Sequence, residues 1–214
     1  MKRYLPGFFV ALALTCAFSP APAADGSSWG PGADDAAFKA MLKSSFREKG
    51  IAKLTRLDQD ETQAFCSDPE FANSKAGAKR AAELEALNMA TVKWPADGRY
   101  LGDYKSGEAI AQSGKGLTST DKADAPNGGN CYNCHQLSKT EIAYGTIGPS
   151  LYNYGKLRGT SEEALKAAWA KIYNAKSSNA CSLMPRGGHM GIMTEQQIKD
   201  IMALLFDPNS PVNQ

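Results

Sequence analysis

The chain has 214 residues, 43% apolar and 21% charged, with a formal net charge of +2. That length suits one or two domains, and the composition supports a buried core and excludes a disordered chain. The near balance of acids and bases argues against the basic stripe of a nucleic-acid binder.

Lys2 and Arg3 precede an apolar stretch from Leu5 to Phe18, which runs into Ser19-Pro20-Ala21-Pro22-Ala23-Ala24. A basic start, an apolar middle and an A-x-A-like end make residues 1–24 a secretory signal peptide, cut after Ala23 or Ala24. The stretch is short for a retained membrane anchor. Thr15 before Cys16 makes a poor lipid-attachment site. Cleavage removes Lys2, Arg3 and Cys16, leaving a charge near zero and four cysteines. The rest of the chain has no stretch suited to span a bilayer, so an exported, periplasmic protein is expected.

Residues 25–33 read as a flexible lead-in. Asp34 or Asp35 caps an expected helix carrying Phe38, Met41, Leu42 and Phe46 at 3–4 spacing, ended by Gly50. A second helical stretch runs from about Pro69 to Val92 and stops at Trp94-Pro95. A short helix from Asp103 to Gln112 follows, in which Gly107 would let the last helix cross closely, with Leu204 or Phe206 against it. Residues 113–130 and 145–159 read as loops. Thr160-Ser161-Glu162-Glu163 and Thr194-Glu195-Gln196-Gln197 are capping boxes, each opening a helix with an apolar face. The first carries Leu165, Ala168, Trp169, Ile172 and Tyr173. The second carries Ile198, Ile201, Met202 and Leu205 and ends before Pro208. Without a convincing strand pattern, the chain is all-α with unusually long loops, and such loops need a function or a cofactor to hold them.

Residues 131–135 read Cys-Tyr-Asn-Cys-His, the C-x-x-C-H attachment signature of c-type haem. Two thiols three positions apart on one helical turn reach the two vinyl groups of a porphyrin, and the adjacent imidazole projects at the iron. Other readings stay open. A zinc site would add Cys181 or His189 to Cys131, Cys134 and His135. A dithiol would want a βαβ context, and a plain Cys131–Cys134 bridge leaves His135 unexplained.

An electron-transfer haem wants a sixth ligand, and Met184, His189, Met190 and Met193 lie downstream. Met184 is favoured, in an irregular loop before Pro185; its soft thioether would raise the potential, whereas His189 would lower it. The Pro149 carbonyl is a candidate to hold the His135 Nδ1–H, although Gly148-Pro149 also reads as a plain turn. Cys66 and Cys181 remain. In an oxidising compartment a disulfide is the default, stabilising by about 3–4 kcal/mol, with a reactive Cys181 as the rival reading.

With these motifs in place, residues 101–214 resemble the SoxX subunit family of the SoxAX cytochromes of bacterial sulfur oxidation. The resemblance rests on Gly102-Asp103, Gly107-Glu108, Ile110–Gly114, Gly128–Leu137, Gly148–Gly155, Arg158-Gly159, Ala180–Arg186, Gly188-His189, Thr194–Ile198 and the tail Asp207-Pro208 with Ser210–Asn213. It implies a class I cytochrome c fold, here behind a helical N-terminal extension at 25–100. It also implies one covalent haem c on Cys131 and Cys134, with His135 and Met184 as axial ligands. The family's complex is an L-cysteine S-thiosulfotransferase that joins thiosulfate to a cysteine of the SoxYZ carrier. The reacting haem sits in the SoxA partner; the present chain would accept electrons and pass them to a soluble cytochrome c, without being catalytic alone. A free electron-carrier cytochrome between a periplasmic dehydrogenase and an oxidase is the alternative, and the extension, more than a shuttle needs, points to a partner surface. The family usually reads Met-Pro-Arg-Phe-Gly; Gly187 stands where that Phe would be.

Overall fold

A computed structural model describes residues 34–214. The expected signal peptide, with Cys16, and the lead-in at 25–33 lie outside the described residues. Among the described residues the secondary structure is helical, with only an isolated bridge between Lys49 and Ala52.

Helix α1 spans Asp34–Ser45 and leaves Phe38 and Met41 exposed, as is Phe46 just after its end. Helix α2, Glu61–Cys66, begins at Asp60, whose carboxylate accepts the Gln63 N–H while the Gln63 side chain accepts the Asp60 N–H. This reciprocal cap satisfies donors that a six-residue helix cannot satisfy internally. The expected single helix from Pro69 to Val92 is two helices. Asp68 caps α3 (Pro69–Ala72), and Ser74 caps α4 (Lys75–Ala90) by accepting the Gly77 N–H at 2.9 Å. The short polar side chains at Asn73 and Ser74 favour a corner over a continued helix.

Helix α5 (Tyr104–Gln112) crosses α8 (Glu195–Phe206), and Gly107 makes the crossing close. A β-carbon at Gly107 would stand 2.1 Å from the Asp200 carbonyl oxygen and 3.1 Å from the Ile201 nitrogen. The close approach is therefore real, but it meets the backbone of Asp200 and Ile201 rather than Leu204 or Phe206, one turn earlier on α8. Asp200 also braces the start of α5, accepting the Asp103 N–H at 2.9 Å.

Helix α6 (Tyr154–Arg158) lies in a stretch expected to be loop, and α7 is Glu162–Tyr173. Ser161 caps α7, and Thr194 caps α8 with a reciprocal Gln197 bond. Helix α8 is buried along most of its length, and Ile198, Met202 and Leu204 are fully buried. Burying a side chain of this size contributes about 1.5–3 kcal/mol, so α8 is the axis of the core. Trp169 of α7 packs beside it, and its indole N–H donates to the Lys93 carbonyl at 2.8 Å. That bond satisfies the one polar atom of a buried aromatic. A second cluster, Ala111, Tyr132, Leu137, Leu204 and Val212, joins α5 and α8 to the segment that carries the cysteine motif.

Candidate functional site

The motif begins at Asn130, whose left-handed backbone (φ 50°) turns the chain into a single 3₁₀ turn, Cys131–Asn133. Asparagine tolerates that conformation better than most residues. The Cys131 carbonyl accepts the N–H groups of both Cys134 (3.1 Å) and His135 (2.9 Å), so the three chemical residues share one tight turn. The turn is pinned to the core by Tyr132, which is buried. Cys131 and Cys134 are both unpaired thiols. Burial pushes the Cys131 thiol up to about 11, which keeps it protonated and unlike a metal-binding thiolate.

The loop after the turn folds back over it. The Gly148 N–H donates to the Cys134 carbonyl at 2.8 Å, and the Leu151 N–H donates to the Gln136 carbonyl at 2.8 Å. His135 Nδ1 lies 2.7 Å from the Pro149 carbonyl oxygen. A carbonyl only accepts, so Nδ1 carries the proton, and in the neutral ring Nε2 is the nitrogen left with a lone pair. The Gly148-Pro149 segment thus does more than turn the chain: it fixes the tautomer and the orientation of the ring.

Met184 lies in the irregular stretch between α7 and α8, half-buried against the core that holds Trp169 and Met202. Its N–H donates to Ser182 Oγ at 3.3 Å. Three residues upstream, Cys181 is bonded to Cys66 of α2. Two residues downstream, the buried Arg186 guanidinium pairs with Asp60 at 2.6 Å. Lys176 stands buried nearby with its ammonium on the Ala180 carbonyl at 2.8 Å; burial and then the Arg186 charge lower its pKa.

The rival ligand sits elsewhere. His189 lines a cavity of about 180 Å³ together with Asp60, Thr62, Leu84, Asn88 and Arg186, on the side covered by α2 and α4. Burial first, and the Arg186 charge second, lower its pKa, with Asp60 opposing. Met190 is 57% exposed. Met193 fills the space beside Gly187, where a β-carbon would stand 3.1 Å from its Cε. The thioether of Met193 therefore takes up volume in the direction that a side chain at 187 would need. Sequence reasoning did not pair Met193 with Gly187, because two residues in an irregular loop leave no periodic signal.

The zinc reading fails on the donor set. Cys181 is taken by Cys66, His189 belongs to the Asp60–Arg186 cavity, and among the described residues no group of three or more His, Cys, Asp or Glu side chains is arranged to hold a metal. The dithiol reading lacks its strands, and the Cys131–Cys134 bridge is not formed.

The family model described as cytochrome c matches residues 111–206, from the last turn of α5 to the end of α8. Those residues form a cytochrome c domain. Its cofactor is accordingly a covalently bound haem c. The chain is also 36% identical over 179 residues to an uncharacterized lipoprotein of Aquifex aeolicus (strain VF5), an alignment covering 82% of this chain and 84% of that protein. The match to the cytochrome domain alone would not reach that coverage, so the likeness extends into the N-terminal helices.

The residues present fit the haem. Two unpaired thiols on one turn suit thioether formation, and a ring with Nδ1–H engaged presents Nε2 as a donor. Ile147 and Leu183, 77% and 89% exposed, offer apolar surface on the segments that carry His135 and Met184. Cys131 and Cys134 would carry the porphyrin, and His135 Nε2 and the Met184 thioether would hold the iron. Among the described residues no helix is long and apolar enough to cross a membrane.

Proposed function

We propose that this cytochrome is an exported electron-transfer protein with one haem on Cys131 and Cys134, His135 and Met184 as axial ligands, serving as the electron-accepting subunit of a SoxAX-type thiosulfate-oxidising complex. The observation that carries the haem assignment is the His135 Nδ1–H bond to the Pro149 carbonyl, which leaves Nε2 free to donate. When bound, the haem supplies a one-electron couple. His135 orients to it through a fixed tautomer, and a thioether at Met184 favours the ferrous state and a raised potential. The Sox assignment is supported by the combined sequence motifs of residues 101–214, among them Gly128–Leu137 and Ala180–Arg186. In that role, the SoxA-like partner oxidatively joins thiosulfate to the SoxYZ cysteine, and this chain removes the electrons and delivers them to a soluble cytochrome c. The transferase activity belongs to the pair, not to this chain alone.

The free-carrier reading has one observation in its favour. Residues 60–91 are bonded into the cytochrome's own Met184 loop, through Cys66, Asp60 and Asn88, so the extension has a use without any partner. Purification of the haem protein from its native cell separates the two readings. Recovery with a haem-bearing SoxA-like chain, and thiosulfate-dependent reduction only of the pair, supports the complex. A lone chain that sustains full electron transfer supports the carrier. Export is tested by the intact mass of the isolated protein: cleavage after Ala23 or Ala24 gives the leaderless chain, whereas a diacylated Cys16 would match the lipoprotein name of the relative.

A further inference from the structure

The stretch from Asn174 to Arg186, which carries Met184, is held from outside by α2 and α4 at intervals of a few residues. The fully buried Asn174 donates from Nδ2 to Asn88 Oδ1 and to Thr91 Oγ1, each at 3.0 Å. Asn88 Nδ2 in turn donates to Thr62 Oγ1 at 3.0 Å, linking α4 to α2. The Ala180 N–H donates to Glu85 Oε1 at 3.0 Å. Then Cys181 joins Cys66, the last residue of α2, and Arg186 pairs with Asp60, the cap of the same helix. Both ends of one short helix are thus fastened to the loop, one on each side of Met184.

We propose that α2 and α4 form a clamp that sets the strength of the Met184–iron bond, with Cys66, Cys181 and Asp60 as positioning residues. This rests on the reading of Met184 as the axial ligand. A thioether is a neutral, weak donor to ferric iron, so the fraction of protein with the bond made depends on how far its loop can wander. Fixing the loop at two points, three residues before and two residues after Met184, removes most of the backbone freedom that an open state would gain. The other uses of these bonds are less economical. A disulfide for stability alone need not close three residues from a ligand, and a surface meant only for a partner need not place a buried guanidinium on its inner side.

The test is imidazole binding to the ferric, haem-bearing full-length protein, followed by loss of the sulfur-to-iron charge-transfer band. Imidazole enters only when Met184 is off the iron, so its apparent dissociation constant reports the open fraction. The Cys66→Ser/Cys181→Ser double variant is expected to bind imidazole about tenfold more tightly and Asp60→Asn about threefold. Asn213→Ala removes buried bonds to Leu205 and Asp207 and none to this loop; it is expected to lose thermal stability with no change in imidazole affinity. If the double variant does not fold, Asp60→Asn decides, because it keeps the disulfide. Unchanged affinity in the clamp variants, with only thermal stability lowered, overturns the clamp. Absence of the band in the unaltered protein overturns the Met184 ligand reading instead, and the clamp with it.

Discussion

His135 packs its ring against Gly148 so closely that a β-carbon there would stand 2.1 Å from Cε1 and 2.5 Å from Nδ1. The ring is held between that bare α-carbon and the Pro149 carbonyl, so position 148 and the imidazole cannot both carry bulk. Gly148→Ala should therefore push the ring off its bond. The expected result is a fall of about tenfold in haem bound per polypeptide, the lower end of what loss of a supporting contact costs a metal site. Pyridine haemochrome absorbance against protein concentration measures it. Full haem content with an unaltered ferric spectrum would show that the ring's seat does not matter.

The crossing of α5 over α8 makes a second prediction. At Gly107 the obstacle to a side chain is the Asp200 carbonyl, which is backbone and has no rotamer to yield. Gly107→Ala should cost about 2–3 kcal/mol, at the upper range for overpacking, despite the better helix propensity of alanine. Thermal or urea unfolding would register it, and a loss below about 0.5 kcal/mol, the scale of a surface change, would mean the helices can separate freely.

Gly187 and Met193 should behave as a coupled pair. A Phe at 187 needs the space that Met193 Cε occupies 3.1 Å away, and it must also pass the Ile172 carbonyl at 3.0 Å. Gly187→Phe alone is expected to destabilise, and adding Met193→Ala should recover part of the loss. A double-mutant cycle should give a favourable coupling of about 1–2 kcal/mol. Strict additivity would mean that the two residues do not share a volume.

The Asp60–Arg186 pair predicts an acid dependence. Burial pushes the Asp60 carboxyl up, but the Gln63 N–H and then the Arg186 guanidinium more than offset it and hold it below its ordinary value of 3.8. A carboxyl whose pKa is lowered on folding contributes stability above its unfolded value, and that contribution is lost as pH falls through the folded value. Asp60→Asn keeps the helix cap, since Asn also caps well, and removes the charge. The variant should be less stable than the parent at neutral pH, and the two should converge well below pH 3.8. Denaturant midpoints across that range check it; a constant gap at all pH values would sink the assignment.

Much of this was legible because it rests on local rules. The C-x-x-C-H spacing, the Thr194–Gln197 cap and the alternation of Ile198, Ile201, Met202 and Leu205 each lie within a few residues of one another, and each appears as read. Cys66 and Cys181 could be paired because the other two thiols of the described chain had a separate use. What sequence left out is long-range and polar. The bonds of Asn88 to Asn174 and of Asp60 to Arg186 join positions far apart in the chain, and neither asparagine nor a single acid carries a periodic mark. Helices α2 and α6 are too short for periodicity to find, and the break between α3 and α4 turns on two small polar residues inside an Ala- and Lys-rich run.

The bridge between Cys66 and Cys181 encloses both Cys131 and Cys134 in sequence. Four thiols allow about six single bridges, one for each couple, and only the Cys66–Cys181 bridge leaves both Cys131 and Cys134 open for the porphyrin. For a chain exported as proposed above, maturation is therefore a race between oxidants and haem attachment. A chain whose early helices reach the 174–186 loop first sequesters the correct two sulfurs, and a chain oxidised while still extended is set to lock its neighbouring cysteines together and emerge colourless.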